Sequence, residues 1–506
     1  MNRLIVAASA PLLVLMNYTV PMVTLPDTAK ALGAGPTGPV WILSAIALGL
    51  SSLLLVAGSL ADDYGRKRTL VAGTAVLAGA SVVAAIAPTV PVFVGARLVQ
   101  GAAGAAMLAA SLGIVGHAFA SGAARVRATA VYGAMMGLGT AVGPLLSGVL
   151  AVLTSWRAVY WVVAVAALAL MVAAACTLEE SRAAVTKEES RASKPLEGSR
   201  VAVAREVSRA ANARDESGVA SAREGSGVAS TRVEPGTGGR RRVDLPGVVL
   251  LTLGIAALVA GVTEGRMGWT RPIVAIAFAA SVFLLAAFAV VERRRREPLL
   301  DLALFGRPRF LVATGGALVV GAAVIGLLSY LPSVLQAAHG MSALTTALLF
   351  ATWSGMSVVS SLAAARVRLG AGSRLSLGLL LSAVGFAGLL GVVTHFSLPL
   401  TITGLVVSGA GSGLINSSLT HLAIESVPRH RVSMGSGANN TARYVGSSLG
   451  AAAMAALIGA LGLETGVLVT VIACIVLLLG TAGAVQAHLL AVPAPFHRAP
   501  LPGPRV

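Results

Sequence analysis

A chain of 506 residues that is 56% hydrophobic and 11% charged, with a mean hydropathy of +0.85, is too apolar for a soluble globule of ordinary composition. Its net charge of +18 does not mark nucleic-acid binding, because no basic region with interleaved aromatics stands outside the hydrophobic runs. Bases retained on one side of a membrane explain the excess better. The two cysteines, Cys176 and Cys474, lie inside apolar runs, which gives no support to a disulfide framework or a cysteine metal site. The sequence has no His/Cys/Asp metal spacing, nucleophile elbow or Walker A motif. Neither an enzyme nor an ATP-driven pump is expected, and no metal or cofactor is implied.

A helix needs about 20 apolar residues to cross a bilayer, so charge-free runs can be counted as spans. Leu4 to Pro26 reads as a retained first span, too long for a signal-peptide core. Five more centre on Leu50, Leu77, Met107, Leu138 and Ala167. From residue 179 to 243 the chain turns rich in Ser, Arg, Glu, Gly and Ala, and repeats Ser-Gly-Val-Ala-Ser at Ser217 and Ser226. Such low-complexity sequence buries too little apolar area to offset its ordering entropy, so a disordered tether is expected. Eight further spans centre near Ile255, Phe283, Val320, Met356, Leu381, Gly411, Leu449 and Val471. Two of the runs are too long for single spans; Pro332 with His339-Gly340 is expected to break one, and His395 to Pro399 the other. The total is fourteen spans.

Alternating sides from a cytoplasmic N-terminus puts Arg66-Lys67-Arg68, Arg125 and Arg127, the 179–243 interval, Arg293 to Arg296, Arg366 to Arg374 and Arg429 to Arg431 on the inside. The outer loops keep chiefly Lys30, Arg157, Arg266 and Arg271. This asymmetry supports both the even count and the orientation, with both termini cytoplasmic. Trp41, Trp156, Trp161 and Trp269 fall near outer ends, as an interfacial belt requires; Trp353 does not.

Four stretches carry further information. Gly58-Ser-Leu-Ala-Asp62-Asp63-Tyr-Gly65-Arg66-Lys67-Arg68 packs acids and bases into a turn that lipid cannot accommodate, and Gly65 permits the φ > 0 of a sharp reversal. Arg97-Leu-Val-Gln100-Gly101-Ala-Ala-Gly104 places a guanidinium inside the fourth span, with Gln100 nearly one turn on. Gly139-Thr-Ala-Val-Gly143-Pro144-Leu-Leu-Ser147-Gly148 spaces glycines so that close neighbours line one face of the fifth span, which Pro144 should bend. Arg443-Tyr-Val-Gly446-Ser-Ser-Leu-Gly450 puts another Arg in the thirteenth span. A weak internal echo links Gly101-Ala-Ala-Gly104 to Gly409-Ala-Gly411-Ser-Gly413.

Together these stretches, with Trp156-Arg157, resemble the fourteen-span drug:proton antiporter branch of the major facilitator superfamily. The resemblance implies an all-α polytopic membrane protein with two six-helix bundles, residues 1–178 and 298–488. Two additional helices (244–297), the cytoplasmic linker (179–243) and a cytoplasmic tail (489–506) complete it. It also implies a secondary active exporter of a small organic molecule in the cell membrane, an antibiotic or another secondary metabolite, working by alternating access and proton antiport as a monomer. A metabolite importer of the same fold or a transporter-like sensor is the alternative. Gly58, Asp62, Gly65, Arg66 and Arg68 would form a cytoplasmic gate. Asn17, Arg97, Gln100 and Arg443 would line a substrate or proton pathway, and Gly139, Gly143, Pro144 and Gly148 would form the antiporter-signature helix.

The first span departs from the branch. Asn17 stands where relatives carry an acid, and Asn cannot titrate. With Arg97 and Arg443 inside spans and no central carboxylate, a neutral, zwitterionic or anionic cargo is favoured. If protons drive transport, Asp27, Glu264, Glu425 and His421 are the remaining candidate carriers.

Overall fold

The structure is a computed structural model that describes residues 2–118, 122–179, 245–265, 267–295, 304, 306–367, 369–427 and 432–491. The chain divides into two units, residues 1–181 with 243–506, and residues 182–242. The expected tether beyond residue 179 and the expected tail beyond residue 491 lie outside the described residues, and residues 489–491 continue the last helix instead of starting a tail.

Among the described residues every regular element is helical, as lipid demands of a segment that must satisfy its own backbone. The first half runs α1 (Asn2–Thr19), α2 (Pro21–Ala31), α3 (Gly38–Tyr64), α4 (Arg66–Ile86), α5 (Val90–Ala118), α6 (Gly122–Leu153) and α7 (Ala158–Thr177). Next come α8 (Leu245–Gly265) and α9 (Pro272–Arg294). The second half holds α10 (Pro308–Val320), a π turn (Gly321–Gly326), α11 (Leu327–His339), α12 (Ala343–Ala363), α13 (Ala371–Ala387), α14 (Leu398–Glu425), α15 (Val432–Leu461) and α16 (Leu463–Ala491). Among the described residues eleven helices are long and apolar enough to cross a membrane, or twelve where the bent pair α1 and α2 is counted as one span. Two shorter apolar helices, Gly38–Leu54 within α3 and Ala371–Ala387, lie where the second and eleventh of the fourteen expected spans fall.

The breaks follow local chemistry. Gly340 adopts φ 62° and ends α11, and Ser342 then caps α12 by accepting the Thr345 N–H at 3.1 Å. Pro332, expected to share in this break, instead sits inside α11, where a packed span tolerates a proline. α6 likewise runs unbroken through Pro144. The second expected break holds, with α13 ending at Ala387 and α14 starting at Leu398.

Glycine seams hold each half together, and they repeat. In the first half, second and fourth spans meet where a Cβ on Gly49 would strike the Leu98 carbonyl and one on Gly101 the Ile46 carbonyl. In the second half, their counterparts meet where Gly409 faces the Trp353 carbonyl and Gly413 that of Ser357. First and fifth spans behave alike: Gly139 and Gly143 abut Leu12 and Met16, while Gly446 and Gly450 abut Leu318 and Ala322. The faint sequence echo is therefore a repeat of backbone contacts, made where small residues let helices approach. α9 shows the opposite pattern, burying Val274, Ser281, Phe288 and Glu292 while exposing Ile276, Val282 and Phe283. In a bilayer that exposed face meets lipid.

Gly101→Val should destabilise the protein by about 3 kcal/mol through overpacking, read as a lowered melting temperature in detergent. Gly79→Val, where an added Cβ meets nothing within 4 Å, should change stability by less than about 0.5 kcal/mol.

Candidate functional site

The first span bends where its sequence withdraws a hydrogen bond. Pro21 has no N–H, so the carbonyl of Asn17, four residues earlier, loses its helical donor. α1 and α2 meet there at 47°. Arg97 of α5 takes the freed carbonyl: its Nη1 donates to Asn17 O at 2.9 Å and to Asn17 Oδ1 at 3.1 Å, and its Nη2 to Tyr18 O at 3.3 Å. Nη1 also donates to Gln100 Oε1 at 3.0 Å, and Gln100 Nε2 donates to Ser81 Oγ of α4 at 3.0 Å. One fully buried guanidinium thus ties the first, third and fourth spans together. Its four hydrogen bonds all end on neutral oxygens. A buried cation without a carboxylate must be held by dipoles alone, and here the bend supplies them. The Tyr160 ring adds a cation–π contact at 6.0 Å from the guanidinium carbon.

α6 closes on the same bend. Gly143 lies against Thr19 Oγ1 and Met16 O, one turn from Gly139 against Leu12 O. Gly148 is not on that face, because nine residues rotate a helix by about half a turn. A Cβ there would meet the Ala343 carbonyl of α12 at 3.0 Å, and Gly137 also faces α12, at Val358. The signature helix therefore touches both halves.

The second half repeats the pattern of an arginine held by amides. Half-buried Arg443 donates from Nη1 to Asn416 Oδ1 at 3.0 Å and from Nη2 to Asn440 Oδ1 at 2.9 Å. Between the arginines stands Tyr18, which sequence reasoning passed over. Its carbonyl accepts from Arg97, its hydroxyl lies 2.7 Å from Ser447 Oγ, and its ring centre is 5.5 Å from that of Tyr444. Two further bonds cross between halves, Thr441 Oγ1 to Ser51 O at 3.1 Å and Gln336 Nε2 to Val23 O at 2.7 Å. At this junction Tyr18, Met22, Leu43, Ser44, Ser329, Ser447, Ser448 and Ala451 line a cavity of about 10 Å³, room for about one water molecule.

The charged turn is placed with its bases anchored. Gly65 adopts φ 107° between α3 and α4, and Gly58 lies in α3. Arg66 Nη1 donates to Gly113 O of α5 at 3.0 Å and Lys67 Nζ to Ala175 O of α7 at 2.7 Å, while Arg68 is exposed. The Asp62 side chain lies outside the described set. Arg157 does more than mark a family position: its Nη1 donates to Ala85 O at 2.8 Å and Ala87 O at 2.9 Å, capping α4, while its guanidinium stacks over Trp156 at 4.4 Å. Of the candidate proton carriers, Asp27 and His421 are exposed and Glu264 pairs with Arg271 at 3.1 Å; the Glu425 side chain lies outside the described set. Glu292 went unremarked beside four arginines, yet it is buried in the last turn of α9.

Two six-span halves that meet over a few polar bridges, with an uncharged cavity at the junction, have the build of a solute carrier. Residues 7–451 match the family described as Major Facilitator Superfamily, and the chain belongs to that family. It is 27% identical over 451 residues to a multidrug resistance protein, Stp, of Mycobacterium tuberculosis, covering 88% of this chain and 74% of the relative. It is 30% identical over 458 residues to the puromycin resistance protein pur8 of Streptomyces alboniger, covering 89% and 80%. In fold it is similar to the crystal structure of a POT family transporter in complex with a thioalcohol conjugated peptide. That match has a TM-score of 0.62 and 13% identity, covering 97% of this chain and 96% of that one.

Asn17→Ala should cost about 2 kcal/mol of stability, because a buried charged donor loses its side-chain acceptor. Pro21→Ala should lower transport instead, since its new N–H competes with Arg97 for the Asn17 carbonyl. Melting curves and flux measured on both variants separate these effects; a Pro21→Ala protein with unchanged flux refutes a role for the bend.

Proposed function

We propose that the chain is a secondary active exporter of small organic molecules, antibiotics or other secondary metabolites, working by alternating access in the cell membrane. The observation that carries this reading is the junction at Tyr18. Two glycine-seamed halves are joined there by single polar bonds around a cavity of about 10 Å³. A drug-sized ligand needs about 300 Å³ or more, so cargo enters only when the halves part. The resistance named for the relatives supports outward movement, since a carrier protects a cell by lowering the internal concentration of a toxin.

Orientation follows the bases: both termini and the Arg66-Lys67-Arg68 turn lie in the cytoplasm. In that turn Asp62, Arg66 and Arg68 latch the halves on the cytoplasmic side, with Gly58 and Gly65 shaping it. Arg97, Gln100, Asn17 and Arg443 border the pathway, and the Gly139, Gly143, Pro144 and Gly148 helix supports its closure. The monomer is the working unit. Proton antiport drives export, with a carrier other than residue 17, because the ligands of Arg97 are neutral amides and carbonyls. Two buried or half-buried arginines without a described carboxylate partner favour neutral, zwitterionic or anionic cargo over lipophilic cations.

Resistance profiling in a drug-sensitive host, followed by flux into proteoliposomes with and without an imposed pH gradient, tests the whole reading; flux indifferent to the gradient removes proton antiport. Asp62→Asn should cut transport about tenfold or more with expression preserved, the scale on which misplaced positioning groups act; unchanged flux refutes the latch. Asn17→Asp places a carboxylate within reach of Arg97, and should raise efflux of a quaternary ammonium dye above the low wild-type level. Equal dye efflux by both proteins contradicts the charge argument.

A further inference from the structure

The cavity at the junction is lined by hydroxyls from both halves and by no charged group. Tyr18 and Ser44 come from the first two spans, and Ser329, Ser447 and Ser448 from the ninth and thirteenth; Met22, Leu43 and Ala451 complete the wall. Within a membrane-spanning helix a serine usually satisfies itself by donating to a carbonyl one turn earlier. Ser329 does so, with Oγ 2.6 Å from Ile325 O. Ser44 and Ser448 do not: each is at least 98% buried, and neither Oγ has a hydrogen-bond partner within the protein. A buried hydroxyl left unpaired is destabilising, and a native protein that keeps two of them on one cavity wall calls for a reason.

The Tyr18–Ser447 pair supplies it. With the halves together, these two hydroxyls satisfy each other at 2.7 Å. Parting the halves breaks that bond and leaves Tyr18, Ser44, Ser447 and Ser448 presenting four hydroxyls, two from each half, to whatever enters. Hydroxyls both donate and accept, so such a set recognises an uncharged, oxygen-bearing group and offers nothing to balance a formal charge. Resting on the export reading, we infer that this hydroxyl set is a specificity subsite for the neutral hydroxyl groups of the transported molecule, which can both donate to it and accept from it. The cargo's oxygens take the place of the Tyr18–Ser447 bond when the halves open, and the bond re-forms as cargo leaves. Met22, Leu43 and Ala451 supply the apolar surface against which the rest of such a molecule packs.

Energised everted vesicles test this with two uncharged probes of one ring skeleton, tritiated hydrocortisone, rich in hydroxyls, and tritiated progesterone, which lacks them. Ethidium serves as a cationic third probe. The wild type should carry hydrocortisone faster than progesterone, and Ser44→Ala/Ser448→Ala should reduce that ratio about fivefold, the scale of one net hydrogen bond. Ser44→Thr/Ser448→Thr, which keeps both hydroxyls, should keep the ratio. A purely structural role for these serines moves both steroid fluxes together and lowers the melting temperature of the alanine variant. A ratio unchanged in that variant, or a wild type that carries both steroids equally, overturns the subsite. Wild-type transport of ethidium alone overturns it too while leaving the export reading intact, and a wild type that moves none of the three probes overturns the export reading itself.

Discussion

A proline that cannot donate and an arginine that must be satisfied solve each other's problem at the first span, and the rest of the site depends on that exchange. Pro21 strips the Asn17 carbonyl of its helical partner, and Arg97 fills the vacancy. The bend then fixes where Tyr18 points, and Tyr18 fixes where the halves touch. The Gly139 and Gly143 face of α6 packs against the same stretch of α1. Two motifs far apart in sequence therefore act on one turn of backbone.

The contacts within halves and between halves differ in kind. Inside each half, backbone lies on backbone along glycine seams, a contact that any side chain larger than hydrogen would disrupt. Between halves, apart from the α6 contact with α12 at Gly148, hydroxyl and amide bonds such as Tyr18–Ser447 and Gln336–Val23 can be exchanged for water or ligand at small net cost. That contrast lets a chain stay folded while its middle opens.

Much of this architecture was legible because lipid makes simple demands. Charge-free length counts spans, a stranded charged turn needs a membrane face, and Gly65 in that turn needed positive φ and has it. The bend at Pro21 was not legible, since hydropathy runs straight through it, and the π turn Gly321–Gly326 reads like any Gly/Ala helix. Arg97 could be recognised as costly from its place inside a span, and Gln100 as its neighbour, yet its other three acceptors lie 79 and 80 residues away, a pairing that only the fold brings about. The cavity serines were hidden for another reason. Serines abound in these spans, and Ser44 differs from Ser81 or Ser329 only in failing to find a carbonyl.

α6 has a mechanical consequence. Gly139 and Gly143 lie on the first half and Gly137 and Gly148 face α12 of the second, so this rod bears on both bodies, with Leu146 and Leu150 beside its glycines packed against the core. Interdigitated side chains act as teeth and hold a contact in discrete registers; glycine surfaces have none. On this helix only the Gly148 contact lies backbone to backbone between the halves, and there one half would slide on the other without a change of rotamer.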